Sequence, residues 1–142
     1  MGNSYKYAKY HTEFEDCPPE KYVRTNRDGY RFVFDDTDSD RSFSPVLILD
    51  EGRPARGGAG HRKECRGYGL SFFASEENAR AMFASLRKNI PQIHKSIGNL
   101  LARVVITHKH GVASEPSKSS GHFTLHEFAG VEWEWEVLGK VT

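Results

Sequence analysis

Seven histidines, two cysteines and a run of arginines set among glycines are the residues of this chain best suited to chemistry. In Thr107-His-Lys-His-Gly111, His108 and His110 stand two residues apart, and in Gly121-His-Phe-Thr-Leu-His-Glu-Phe128, His122 and His126 stand four apart. On a β-strand either spacing puts both rings on one face, where they could hold a divalent metal with a nearby carboxylate such as Glu127. Neither pair forms part of an H-E-x-x-H motif, and Cys17 and Cys65 are far apart with no partner at zinc spacing. The expectation is therefore that no metal is bound, with scattered surface histidines as the default and His122 and His126 as polar groups lining a ligand cleft. Both cysteines are expected as reduced thiols rather than as a disulfide.

The glycine-rich stretch from Glu51 to Gly67 carries Arg53, Arg56, His61, Arg62, Lys63 and Arg66. Arginines interleaved with flexible backbone can wrap the phosphates of a dinucleotide or of RNA. The stretch lacks G-x-x-x-x-G-K-[ST], so it is no P-loop, and it lacks the aromatic residues on which single-stranded bases stack. Its blander reading is a solvated loop. In Val131-Glu-Trp-Glu-Trp-Glu-Val137 the valines and tryptophans alternate with glutamates, the pattern of a half-buried strand with an acidic outer face.

The bounds on the chain are set by size and charge. Its 142 residues are the natural size of one domain, and 37% hydrophobic content is enough to fill a core. Twenty basic residues against nineteen acidic leave a formal charge of +1, without the basic excess expected of a duplex nucleic-acid binder. No apolar run approaches the roughly 20 residues of a membrane span. The polar N-terminus has no secretory h-region, and Lys6 does not fit the myristoylation pattern. A soluble, cytoplasmic protein is the expectation.

The elements that must position these groups are readable in order. Residues 1–19 form a polar N-terminal arm ending at Pro18-Pro19, and residues 20–142 form a single domain. Alternation over 21–26 and 30–34, joined by Arg27-Asp28-Gly29, predicts a hairpin. Pro45–Leu49 reads as a short buried strand, and 51–67 as loop. Residues 68–75 read as a strand running into a helix over about 76–89, with Ser75 as N-cap and Glu76 and Glu77 in the first turn. Ala79, Met82, Phe83 and Leu86 mark its buried face. Pro91 opens a second short helix over about 91–97, which ends at Gly98. Residues 99–107 form another strand, and a terminal hairpin pairs 122–128 with 131–137 across Ala129-Gly130. This order predicts an α+β fold with a mixed, mostly antiparallel sheet and helices on one side.

The segment Gly67-Tyr-Gly-Leu-Ser-Phe-Phe-Ala-Ser-Glu-Glu-Asn-Ala-Arg-Ala-Met-Phe83 resembles part of the ADP-ribosyltransferase-like domains. There a G-x-G-[IL]-[YS]-F strand leads into a helix opening with small and polar residues. The strand Leu-Leu-Ala-Arg-Val-Val-Ile-Thr and the terminal hairpin follow in that superfamily's order, so the resemblance covers roughly residues 67–137. It implies NAD bound in a cleft between two strand sets and attack at the anomeric carbon of the nicotinamide ribose. The implied catalytic set is Arg24 as anchor, Ser71 before the helix, and one of Glu132, Glu134 or Glu136 as the late acid. Glu134 is taken for that role, and Thr25, Tyr68, Gly69 and His122 for the cofactor. Arginine and serine stand where the H-Y-E branch has histidine and tyrosine, and in the best-overlaid register His122 occupies the acid's place. The alternative from another functional class is a non-catalytic module binding a small nucleotide or a protein partner.

Overall fold

Six antiparallel strands in the order β4-β5-β2-β1-β3-β6 make one sheet. They belong to a computed structural model that describes residues 4–35, 40–45, 48 and 64–141. In chain order the elements are α1 (Ala8–His11), β1 (Arg27–Val33), a 3-10 turn (Asp40–Phe43), a second 3-10 turn (Cys65–Tyr68) and β2 (Leu70–Phe73). Then come α2 (Glu76–Asn89), α3 (His94–Ile97), β3 (Leu100–Ile106), β4 (Gly111–Ala113), β5 (His122–Glu127) and β6 (Glu134–Lys140). The α+β class and the main helix agree with the sequence reading. The predicted strand at 45–49 and most of the basic loop fall largely outside the described residues, as do the side chains of Arg53, Arg56, His61, Arg62 and Lys63.

Local chemistry explains α2. The Ser75 hydroxyl accepts from the Asn78 backbone N–H at 3.0 Å, Glu76 and Glu77 sit at the positive end of the helix dipole, and Arg87 and Lys88 sit at the negative end. Ala79 and Phe83 are buried, and Phe83 meets Phe32 of β1 edge-on at 5.4 Å. Arg80 donates to the carbonyls of Lys140 and Val141, fastening the helix to the end of β6.

Two predicted hairpins are corrected. Arg27-Asp28-Gly29 is not a turn but the start of β1, paired with Ile106, Val105 and Val104 of β3. A Cβ on Gly29 would come within 2.7 Å of both Phe72 and Ile106 side chains, so this glycine serves close packing rather than a positive-φ turn. The terminal hairpin is also absent: β5 lies between β4 and β2, whereas β6 pairs with β3 on the opposite edge. Alternation correctly marked both strands, but it says nothing about which neighbour each one takes. Strand β4 sits within what reads as a loop, because its three residues are too few to show a period.

Connectivity forces the sheet to curl. β3 and β4 are four places apart, about 19 Å in a flat sheet. The chain from Ile106 to Gly111 spans at most roughly 17 Å, and it is turned, with His110 N–H donating to Thr107 O at 3.0 Å. The concave face therefore encloses one core, of Val33, Leu70, Phe72, Val104, Ile106, Phe123 and Leu125, closed by Phe43, Trp133 and Trp135. The convex face carries α2 over Phe73, Leu101, Tyr30 and Phe32.

The N-terminal arm packs against the end of β5 and the turn before β2. Lys6 N–H donates to Glu127 O at 2.9 Å and Ala129 N–H to Ser4 O at 2.7 Å, so the arm prolongs the pairing at the end of β5. Tyr10 stacks on Tyr68 with ring centroids 4.8 Å apart, and Val23 pairs with Ala113 at the outer edge of β4. No helix among the described residues is long and apolar enough to cross a membrane.

Candidate functional site

The residues named from the sequence separate in space. Arg24 follows Val23 at the edge of β4. Its guanidinium lies 4.8 Å from the centre of the Phe128 ring and donates to the His108 carbonyl at 3.3 Å. Ser71 is exposed on β2, opposite Thr124 and four residues along β5 from Phe128. Glu134 is exposed at the start of β6, opposite Val105. Between Ser71 and Glu134 stand β1 and β3, three inter-strand steps or roughly 14 Å. The strand registers add a further displacement along the sheet: Ser71 lines up with Phe32 and Leu101, and so with Gly139 rather than Glu134. Arg24, Ser71 and Glu134 therefore do not converge. Glu132 is exposed and its carbonyl accepts from His110; Glu136 is ion-paired with Arg103.

The implied cofactor residues have packing roles. Tyr68 is buried under Tyr10. A Cβ on Gly69 would lie 2.6 Å from the Thr124 methyl and 3.3 Å from the His126 ring, so this glycine lets the chain pass close over β5. His122 is half-buried and meets Phe73 edge-on at 5.4 Å. Only Thr25 stays beside Arg24, half-exposed.

Arg24 stands with Asn26 and His108 on an exposed surface over the half-buried Tyr5 and the buried Phe128. Tyr5 lies tilted against Phe128 with ring centroids 5.4 Å apart, and burial raises the pKa of its phenol, offset by the positive charge of Arg24. Asn26 accepts from the His108 backbone N–H at 3.2 Å, setting the turn whose carbonyl holds Arg24. Among the described residues Arg24 has no carboxylate partner, whereas Lys6 is paired with Glu127 at 3.9 Å.

The concave face holds a buried polar network that the sequence did not announce. Arg31 donates to Ser42 O at 2.8 Å and Ser71 O at 2.7 Å, and lies 5.6 Å from both the Phe43 and Phe72 rings. Burial pushes its pKa down to about 10, countered by the charge of Glu127. Burial raises the pKa of Glu127, offset by the Trp133 indole N–H, which donates to it at 2.9 Å, and by the charge of Lys6. His110 accepts from Thr107 N–H through Nδ1, so its Nε2 carries the proton and donates to Glu132 O at 2.8 Å while the ring stacks on Trp133. Arg31, Ser42, His110 and Glu127 are all buried, which makes the network structural.

A second cluster forms where the arm meets β5. Cys17 and Cys65 are joined in a disulfide with Cα atoms 5.6 Å apart, which overturns the expectation of two free thiols. The arm carries Cys17 onto the 3-10 turn that holds Cys65, a proximity that sequence spacing could not show. His11 and His126 lie against the same sulfurs. One ligand atom each from His11, Cys17 and His126 lies within 4.8 Å of the others, and His126 Nε2 is 3.7 Å from Cys65 Sγ. The two rings meet edge-on at 5.2 Å. His11 is 7% exposed and His126 1%, yet both nitrogens of His11 and Nδ1 of His126 have no hydrogen-bond partner. Each such atom costs about 1–3 kcal/mol. Burial, reinforced by His11, pushes the His126 pKa down to about 4 and keeps its ring neutral. Nothing local to His11 marks it out in the sequence.

No family model, curated protein or solved structure matches the chain.

Proposed function

We propose that this chain is a non-catalytic module that binds a small adenine nucleotide, of the class of NAD or ADP-ribose, at the exposed surface around Arg24. One observation carries the reading: a guanidinium pre-positioned by the Phe128 ring and the His108 carbonyl, beside Tyr5 and Asn26, and without a described carboxylate partner. A phosphate satisfies such a cation by charge-assisted hydrogen bonds, and the half-buried Tyr5 ring and exposed Asn26 amide beside it suit a base or ribose. The near-neutral total charge fits a small ligand better than a duplex. Cytoplasmic residence, where such nucleotides are abundant, belongs to the same proposal.

ADP-ribosyl transfer receives less support, since it requires a hydroxyl and an acid within hydrogen-bond reach of the ligand that Arg24 holds. Ser71 and Glu134 stand on β2 and β6 with two strands between them.

The test is a thermal-shift titration with NAD, ADP-ribose and AMP on the wild type and on Arg24→Ala. A ligand at a hundredfold excess over its Kd stabilises the native state by about 2.7 kcal/mol. For a chain of 142 residues that is a rise in Tm of roughly 9 °C. Saturable stabilisation that disappears in Arg24→Ala supports the proposal. No shift at millimolar ligand, or a shift that survives the substitution, removes it.

A further inference from the structure

The disulfide and the two histidines make an unusual neighbourhood. A disulfide satisfies its own sulfurs and needs no imidazole beside it. Here two rings, both more than nine-tenths buried, lie against the sulfurs: His126 Nε2 faces Cys65 Sγ at 3.7 Å, and His11, neither of whose nitrogens has a hydrogen-bond partner, puts one of them into the same space as Cys17 and His126. The four residues come from three parts of the fold: α1 and the following arm, the 3-10 turn before β2, and β5. The donor set, two sulfurs and two imidazoles, is that of a structural zinc centre.

We propose that in the reduced chain His11, Cys17, Cys65 and His126 bind one zinc(II) ion in a closed tetrahedral site that fastens the N-terminal arm to β5. With Zn–S near 2.3 Å and Zn–N near 2.0–2.1 Å, a tetrahedron puts sulfur and nitrogen about 3.6 Å apart and two sulfurs about 3.8 Å apart. His126 Nε2 and Cys65 Sγ already stand at 3.7 Å. With the Cα atoms 5.6 Å apart, rotation about the Cα–Cβ bonds of Cys17 and Cys65 separates the sulfurs once they are no longer bonded.

The conversion balances. A dithiol reductant gives two electrons and two protons to the Cys17–Cys65 bond, is itself oxidised to a disulfide, and leaves two thiols. Zinc(II) then binds two thiolates and displaces two protons. Four protein ligands leave no open position, so the ion organises structure rather than reacting with a substrate. Tyr5 against His11 at 5.4 Å and Tyr22 against His126 at 5.9 Å supply an aromatic shell around it. The expectation of no metal rested on sequence spacing, which cannot register ligands that only the fold brings together.

The test is a cobalt(II) titration of the full chain, reduced with a phosphine and freed of metal, followed by displacement with zinc(II). One equivalent of cobalt, with intense tetrahedral visible bands and a thiolate-to-metal charge-transfer band, is the expected result. The oxidised chain takes up none. Cys17→Ser/Cys65→Ser abolishes the charge-transfer band, and native mass spectrometry shows one zinc gained with two protons lost. His126→Ala removes a side chain from the interior and is open to misfolding, so His11→Gln is the second variant, checked for native circular dichroism. It weakens cobalt binding by more than the roughly 10–100-fold that loss of an outer partner costs. A reduced chain without the charge-transfer band, or a His11→Gln variant with wild-type affinity and spectrum, overturns the proposal.

Discussion

Replacing Trp133 by Phe tests the buried network on the concave face. The indole N–H donates to Glu127 Oε2 at 2.9 Å, and the Glu127 side chain is only 2% exposed. Lys6 stands 3.9 Å from that oxygen but is 45% exposed, where solvent weakens its effect, and the buried charge of Arg31 acts on Glu127 from further off. A net hydrogen bond to a charged acceptor contributes about 1.5–3 kcal/mol, and the smaller ring leaves a gap beside Phe72 and His110 worth about 1 kcal/mol more. Trp133→Phe should therefore cost about 2.5–4 kcal/mol. With an unfolding entropy near 2.1 cal/mol/K per residue over 142 residues, that lowers Tm by roughly 8–13 °C. The double-mutant cycle isolates the hydrogen bond. In a Glu127→Gln background the acceptor is uncharged, so Trp133→Phe should cost about 1–2 kcal/mol less. Calorimetric unfolding of the four proteins measures this. Equal losses in the two backgrounds would refute the network, and the tryptophan would then matter only for its volume.

Further outcomes follow from single positions. Gly29→Ala should destabilise by about 1–3 kcal/mol in denaturant unfolding, because its methyl would meet Phe72 and Ile106 at 2.7 Å; a wild-type midpoint would contradict that packing. Ser75→Ala removes the cap on the Asn78 N–H and should cost about 1 kcal/mol in the same assay, with little change in the native circular dichroism. Reducing the Cys17–Cys65 bond with metal excluded releases a loop of 48 residues in sequence separation, which loop-closure entropy values at up to about 4 kcal/mol. Urea unfolding in the presence and absence of a phosphine reads that difference, and no difference would mean that the bridge does not constrain the unfolded chain.

How much of this was legible in the residues depended on range. Helix α2 was readable to its ends because its cap, its apolar spacing and its terminal charges all lie within fifteen residues. The Asp28-Gly29 pair misled because the same dipeptide serves a tight turn and a close approach between strands, and only the Phe72 and Ile106 side chains across the sheet distinguish them. Strands β5 and β6 were each visible, but their partners are chosen by the curl of the whole sheet. Arg24 was singled out and does stand on an open surface, whereas Ser71 and Glu134 were joined to it by motif order alone, which carries no distance. The cluster of His11, Cys17, Cys65 and His126 was invisible, since its members meet only when the arm folds back over β5.

The central claim, that a nucleotide docks at Arg24, is most directly tested by mapping amide chemical shifts during titration with ADP-ribose. Saturable shifts gathered at Tyr5, Arg24, Asn26, His108 and Phe128, and absent in Arg24→Ala, are the predicted result. Shifts centred on Ser71 or Glu134, or none at millimolar ligand, would contradict it.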